Sequence, residues 1–305
     1  MHLAELTSKI IAEIELVSQS HVHVGEHEPG SARLEVMRLY DGSFIVPSST
    51  WKGCFRSLAE KLAPSLLLDD LERLAVEAYG ANGYVPKLGD ERFRNYLEEM
   101  RDVLMGREKP TKIVKHGREE LTLLLRDMGY EEIERGGGAV EKSLTDMALD
   151  YLALHCPIGR LFGNHVIASK LRFHHTIVGK EARTVEARPG VGIDRATGSV
   201  KENILFDVEA LPVGSSFKLR FVADNLEPGA SDSRLLAGVL DWVQIVGLQI
   251  GGRKSVGLGL VKPSESIFNL VQPKKDQGKK ALANPIKHGE KLKLAEIISY
   301  LKKKE

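Results

Sequence analysis

The chain has 305 residues, of which 42% are apolar, 28% charged and 6% aromatic. These fractions exclude a fibrous chain and wholesale disorder, and the length allows one large domain or two smaller ones. Forty-three Lys and Arg against 42 Asp and Glu leave a net charge of +1, which at first sight argues against a polyanionic partner. The sum hides an asymmetry: residues 271–305 hold ten lysines and four acids, a local +6, so the first 270 residues carry −5.

Two cysteines, Cys54 and Cys156, provide neither a disulfide scaffold nor a thiolate metal cluster. The N-terminal stretch lacks the basic and apolar regions of a signal peptide, and no run approaches 18 uncharged apolar residues. These features predict a cytoplasmic protein with no membrane partner.

Residues 9–18 (KIIAEIELVS) alternate in their second half and predict a strand. ARLEVMRLY predicts another, turned at Asp41-Gly42 into FIVP. Ser48, Ser49 and Thr50 then precede an apolar-periodic segment, which predicts a helix starting near residue 49 with a hydroxyl as its cap. From 68 to 155 the spacing is helical throughout, with long charged side chains between Leu, Met and Ala. Period two returns from 166 and is cleanest in FDVEA and FKLRFV. SDSRLLAGVLDWVQIVG predicts an amphipathic helix and LGLVKPSESIFNLV a closing strand, whereas the lysine-rich stretch beyond 272 reads as linker with a short basic helix at best. This order predicts an α+β fold of the ferredoxin-like kind. Its core would span 1–67 and 156–272, with a helical insertion at 68–155 and a basic extension at 273–305.

Four constellations carry chemistry. Ser48, Ser49, Lys52 and Arg56 put hydroxyls, helix N–H groups and two cations at i, i+4 on one face, which suits a phosphodiester backbone. Gly251, Gly252, Arg253, Lys254, Ser255 and Gly257 form a glycine-rich turn with amide donors and charge for phosphate, although the order is neither a Walker A loop nor a dinucleotide fingerprint. The histidines His21, His23, His27, His155, His165, His174 and His175 show no standard ligand spacing, so a metal site is not the expectation; His23 could serve as a general base. Finally, a polar, glycine-punctuated arm carries Arg183, Arg188 and Arg195 and is longer than most loops, which points to partner contact.

The order of these motifs resembles the RAMP superfamily of CRISPR-associated proteins, in particular the Cas7-type backbone subunits of type III interference complexes. His23-Val24-Gly25 is similar to the family's "LHIG" segment. Phe44 to Gly53 (FIVPSSTWKG) resembles "yIPGSSLKG", and Cys156 to Gly163 (CPIGRLFG) resembles "CPVCRLFG". Gly192 to Gly198 with Phe206 to Glu209, and then the 251–259 loop, follow in the family's order over residues 10–262.

The resemblance implies a modified RRM-like fold with a β-hairpin thumb near 180–200, stacked with itself or related RAMP subunits in a filament along a guide RNA (crRNA). Ser48, Ser49, Lys52, Arg56, Arg160, Arg188, Arg195 and the 251–257 loop would contact guide and target RNA, with base pairing supplying sequence. Cleaving members place a catalytic aspartate five residues before a basic residue ahead of the "IPGSS" motif. Counting back from Arg38 reaches Arg33, and the nearest acids are Glu35 and Asp41. The resemblance therefore implies a non-cleaving antiviral scaffold first. A Mg²⁺-dependent endoribonuclease cutting target RNA at intervals is the alternative, and a standalone guide-processing ribonuclease comes last.

Overall fold

A computed structural model describes residues 5–26, 33–79, 91–130, 137–178, 185–193, 196–273 and 278–303. In chain order, β1 (Lys9–Ser18), β2 (Gly25–Glu26), β3 (Arg33–Val36) and β4 (Ile45–Val46) lead to α1 (Ser48–Leu62). Helices α2 (Asp70–Tyr79), α3 (Glu91–Leu104), α4 (Arg118–Asp127), α5 (Gly137–His155) and α6 (Pro157–Phe162) follow. Strands β5 (Leu171–Phe173), β6 (Thr176–Ile177), β7 (Glu186–Ile193), β8 (Val200–Ala210) and β9 (Ser216–Asp224) precede α7 (Ser231–Ile245). The chain then forms β10 (Leu248–Gln249), β11 (Leu260–Val271), α8 (Gly278–Ala283), α9 (Pro285–His288), β12 (Glu290–Leu292) and α10 (Leu294–Lys302).

The main sheet runs β11-β1-β9-β5, each neighbour antiparallel, with β10 and β12 at opposite ends of the outer edge of β11. Counting β1, β5, β9 and β11 as first to fourth, the spatial order is fourth, first, third, second. That is the ferredoxin-like arrangement of two interleaved βαβ units, closed by α1 and α7. A smaller sheet, β2-β3-β8-β7, carries the β7–β8 hairpin at the position of the arm read from sequence as a thumb.

Alternation along β1 decides which face the helices cover. Ile10, Ala12, Ile14 and Leu16 are buried beneath them, joined by Phe217, Leu219 and Phe221 from β9. Phe55 of α1 stacks on Phe173 and Phe221, with centroids 5.2 and 6.0 Å away. The opposite face of the sheet is a ladder of cross-strand ion pairs: Glu13 with Lys218 (3.0 Å) and Arg220 (2.7 Å), and Asp224 with Lys9 (2.8 Å) and Arg172. The aromatic residues of these strands lie on the helix side, so this open face has charges that satisfy one another and no base-stacking platform.

Two sequence expectations change. The helix at 48 is capped at Pro47, whose backbone is extended (φ −60°, ψ 149°), and no side chain caps it. Its first amide donates instead to His175 Nδ1 at 3.1 Å, which leaves the three hydroxyls in the first turn rather than on the cap. The stretch beyond 272 is not merely a linker either. β12 extends the sheet beside β11, and α10 buries Leu294, Ile297, Ile298 and Leu301 against α7. The 3.6-residue period of these four positions was masked by the surrounding lysines.

Helices α2 to α5 extend the same core through Tyr96, Met100, Leu121 and Tyr151. Both cysteines are free and buried. His155 packs 4.7 Å from Tyr151 and 5.7 Å from His116, centroid to centroid. Burial first, then Arg160, His116 and Lys115, push its pKa down to about 4.

Two predictions follow from this packing. An unfolded histidine titrates near ~6.5, so the unfolded chain takes up this proton first as pH falls. Stability contributed by neutral His155 is full above that value and lost toward pH 4. Urea unfolding at pH 7 and pH 5 should show the wild type weakening and His155→Gln weakening less. Ile297→Ala should lower the unfolding free energy by about 2–5 kcal/mol by opening a cavity under α10, measured in the same titration.

Candidate nucleic-acid interface

The segment 19–25 leaves β1 and runs across the end of the sheet, where the glycine-rich loop meets it backbone to backbone. Gly252 N–H donates to His23 O and Gly259 N–H to His21 O, both at 2.8 Å. A Cβ on Gly251 would stand 2.0 Å from His23 O, and its φ of +74° is also one that side chains resist. The glycines are thus required for close approach, and the amides of Gly252 and Gly259 are spent on the chain itself. This revises the expectation that the loop glycines serve chiefly as phosphate donors.

His23 is 7% exposed, and its Nδ1–H donates to Glu209 O at 2.7 Å. Its other ring nitrogen lies where a Cβ of Gly25 would come within 2.4 Å, which explains the His-Val-Gly sequence as a packing unit. Glu209 is itself buried and accepts from Val36 N–H (3.2 Å) and Arg38 (2.9 Å). His21 instead meets Glu186 (2.6 Å) and Arg188 (3.2 Å) at the base of the β7–β8 hairpin. The two imidazoles therefore go to different partners. Among the described residues, no group of three or more His, Cys, Asp or Glu could hold a metal ion.

Between this loop and the start of α1 lies a cleft of about 340 Å³, lined by Val24, Gly25, Ser49, Thr50, Gly53, Cys54, Gly251, Gly252 and Lys254. Lys254 Nζ approaches Cys54 Sγ at 3.7 Å, and burial pushes the Cys54 thiol pKa up, so it stays protonated. Arg253 adopts a left-handed backbone (φ 54°) that turns the loop around this wall. A second cleft of about 290 Å³ lies along the same helix, lined by Lys52, Arg56, Phe162, Gly163, Asn164 and Ser169 among others. The first turn of α1 contains no acid, so the positive end of the helix dipole is not offset there. The result is a strip of glycine surface, hydroxyls and cations that fits a phosphate backbone better than a base edge.

The sequence-derived residues divide around this strip. Ser49, Lys52, Arg56, Gly251, Gly252 and Lys254 line the two clefts. Ser48 sits at the helix start under His175, and Ser255 and Gly257 are exposed on the loop. Arg56 is also held by Glu60 (2.9 Å) and Gly163 O (3.4 Å). Arg160 lines neither cleft: its guanidinium ties α6 to Glu72 of α2 (2.6 Å) and Ser231 of α7 (2.8 Å). Arg188 stands at the hairpin base, and Arg195 and Arg183 lie outside the described residues. Asp41 accepts the Ser43 N–H at 2.9 Å, a contact that lowers its pKa, and Glu35 is exposed on β3.

Thr50, Cys54, Gly163, Asn164 and Ser169 were not foreseen as site residues. The signal for the last three was the Gly163-Asn164 turn: Asn164 Oδ1 accepts from Val166 and Ile167 N–H, both at 2.9 Å, and folds the chain back toward Arg56.

An antiparallel ferredoxin-like sheet closed by two helices defines an α+β class, and a basic, glycine-lined strip lies at the start of its first helix. The RAMP superfamily model matches residues 13–262, and the chain belongs to that superfamily of CRISPR-associated, RNA-binding proteins. A comparison with curated proteins returns no match. Among the described residues, no helix is long and apolar enough to cross a membrane.

The loop's steric constraint gives a direct test. Gly251→Ala should cost more stability in urea unfolding than Gly257→Ala. Both have positive φ, worth about 1–2 kcal/mol to a side chain, but a Cβ at Gly257 meets nothing within 4 Å.

Proposed function

We propose that this protein is a guide-RNA (crRNA)-binding backbone subunit of a type III CRISPR interference complex, of the Cas7 type. In this reading the core spans 1–67 and 156–272, residues 68–155 are an insertion, and the 180–200 hairpin is the thumb facing guide–target RNA. Related subunits or further copies stack along the guide. The observation that carries the proposal is the run of Ser49, Lys52, Gly251, Gly252 and Lys254 along one edge of α1, within the span matched by the family model. Such a strip takes phosphates at regular intervals and leaves bases free to pair.

The scaffold role is favoured over target cleavage by where the acids are. Among the described residues neither cleft has an acid in its lining, and Asp41 is engaged in its own turn. Should the assembled complex nonetheless cut complementary RNA with Mg²⁺ at regular intervals, and lose that activity in Glu35→Gln or Asp41→Asn, the scaffold reading falls. Guide processing through His23 is disfavoured, because its ring is buried behind Gly25.

Binding of single-stranded RNA to the full-length chain at graded salt tests the strip. Each phosphate contact contributes about −0.7 to the slope of log K against log salt. Lys52→Ala and Lys254→Ala should each flatten the slope by about that amount, independent of RNA sequence. Unaltered affinity and slope in both variants would remove the basis of the proposal.

A further inference from the structure

Most of the described aromatic side chains are buried, and Phe173, Tyr130 and Tyr300 are half-buried. Among the described Phe, Tyr and Trp residues only Tyr40 and Trp242 are exposed, and Tyr40 is as exposed as a side chain can be, at 105% against 43%. Tyr40 also stands on a firm support. It occupies the tip of the turn between β3 and β4, where Leu39 N–H donates to Ser43 O (2.8 Å) and Gly42 N–H to Leu39 O (2.9 Å). The Asp41 carboxylate closes the turn by accepting the Ser43 N–H. Beneath it Arg38 lies 4.6 Å from the Phe44 ring centroid and pairs with buried Glu209. Val178 N–H bonds to Phe44 O at 2.9 Å and braces the other side.

The turn is attached to the wall of the first cleft. Met37 N–H donates to Val24 O at 2.8 Å, and Val24 lines that cleft. Tyr40 lies three positions beyond Met37, a chain length of at most about 11 Å. A rigid turn thus holds one aromatic face in water beside a strip that suits a phosphate backbone.

We propose that Tyr40 is a stacking platform for a nucleobase of the RNA whose backbone lies in the cleft. The inference rests on the cleft reading above and adds to it a contact with the base. Every base has a π face, so this contact is indifferent to sequence and compatible with a strand read by pairing. A pre-ordered turn loses little entropy on binding, and the phenol ring has few rotamers to lose.

The test compares full-length variants on two probes, a single-stranded RNA with bases and a length-matched abasic one. Tyr40→Ala should weaken binding of the first by about 5- to 100-fold, the worth of one base–aromatic stack, and leave the abasic probe and the salt slope unchanged. Tyr40→Phe should restore wild-type affinity and Tyr40→Leu should not. Equal affinity of Tyr40→Ala and wild type for the base-bearing probe, while Lys52→Ala still weakens it, overturns the stacking proposal alone. Rescue by Tyr40→Leu overturns it too, since apolar contact would then suffice. If neither Tyr40→Ala nor Lys52→Ala weakens binding, the cleft reading fails as well.

Discussion

Two peptide hydrogen bonds, Gly252 N–H to His23 O and Gly259 N–H to His21 O, hold the interface in place. They require the glycine-rich loop to approach the 21–25 segment more closely than any Cβ permits. That contact sets the gap between loop and α1, and so the width of the cleft between them. It also fixes His23, which reaches Glu209 O of β8, the strand carrying the outer hairpin. Through Glu209 the same unit reaches Arg38 and the turn that holds Tyr40. Loop, hairpin base and aromatic tip therefore share one anchorage, and a change in any of them is felt by the others.

Much of the fold was legible because burial is one-sided. β1 and β9 each put one face under helices, so their apolar residues alternate, and α7 shows its 3.6-residue stripe for the same reason. The α+β class also emerged from the succession of elements. What the sequence hid was mainly local choice. Pro47 can cap a helix through backbone conformation alone, so a hydroxyl in the adjacent position is no proof of a side-chain cap. α10 is short, and its four apolar positions sit among lysines that dominate the composition.

Side-chain direction was less accessible still. Arg160 and Arg56 were both read from the sequence as RNA contacts, yet Arg160 spans α6, α2 and α7, while Arg56, paired with Glu60, lies at a cleft wall. Only three-dimensional packing separates a cation that ties three helices together from one that lies at the wall of a cleft. The near-zero net charge follows the same logic. The exposed sheet face pairs its acids and bases across strands, so the sum says nothing about the short strip where Lys52 and Lys254 stand.

The docking of β12 on β11 has a consequence for how the chain tolerates shortening. Cutting before residue 290 would strip a hydrogen-bonded partner from Phe268, Asn269 and Leu270. The same cut would uncover the part of α7 on which Ile297 and Leu301 rest. An open strand edge beside fresh apolar surface is a template for intermolecular sheet growth. A truncated chain would therefore show its defect first as self-association, even with the cleft at the far end of β11 left intact.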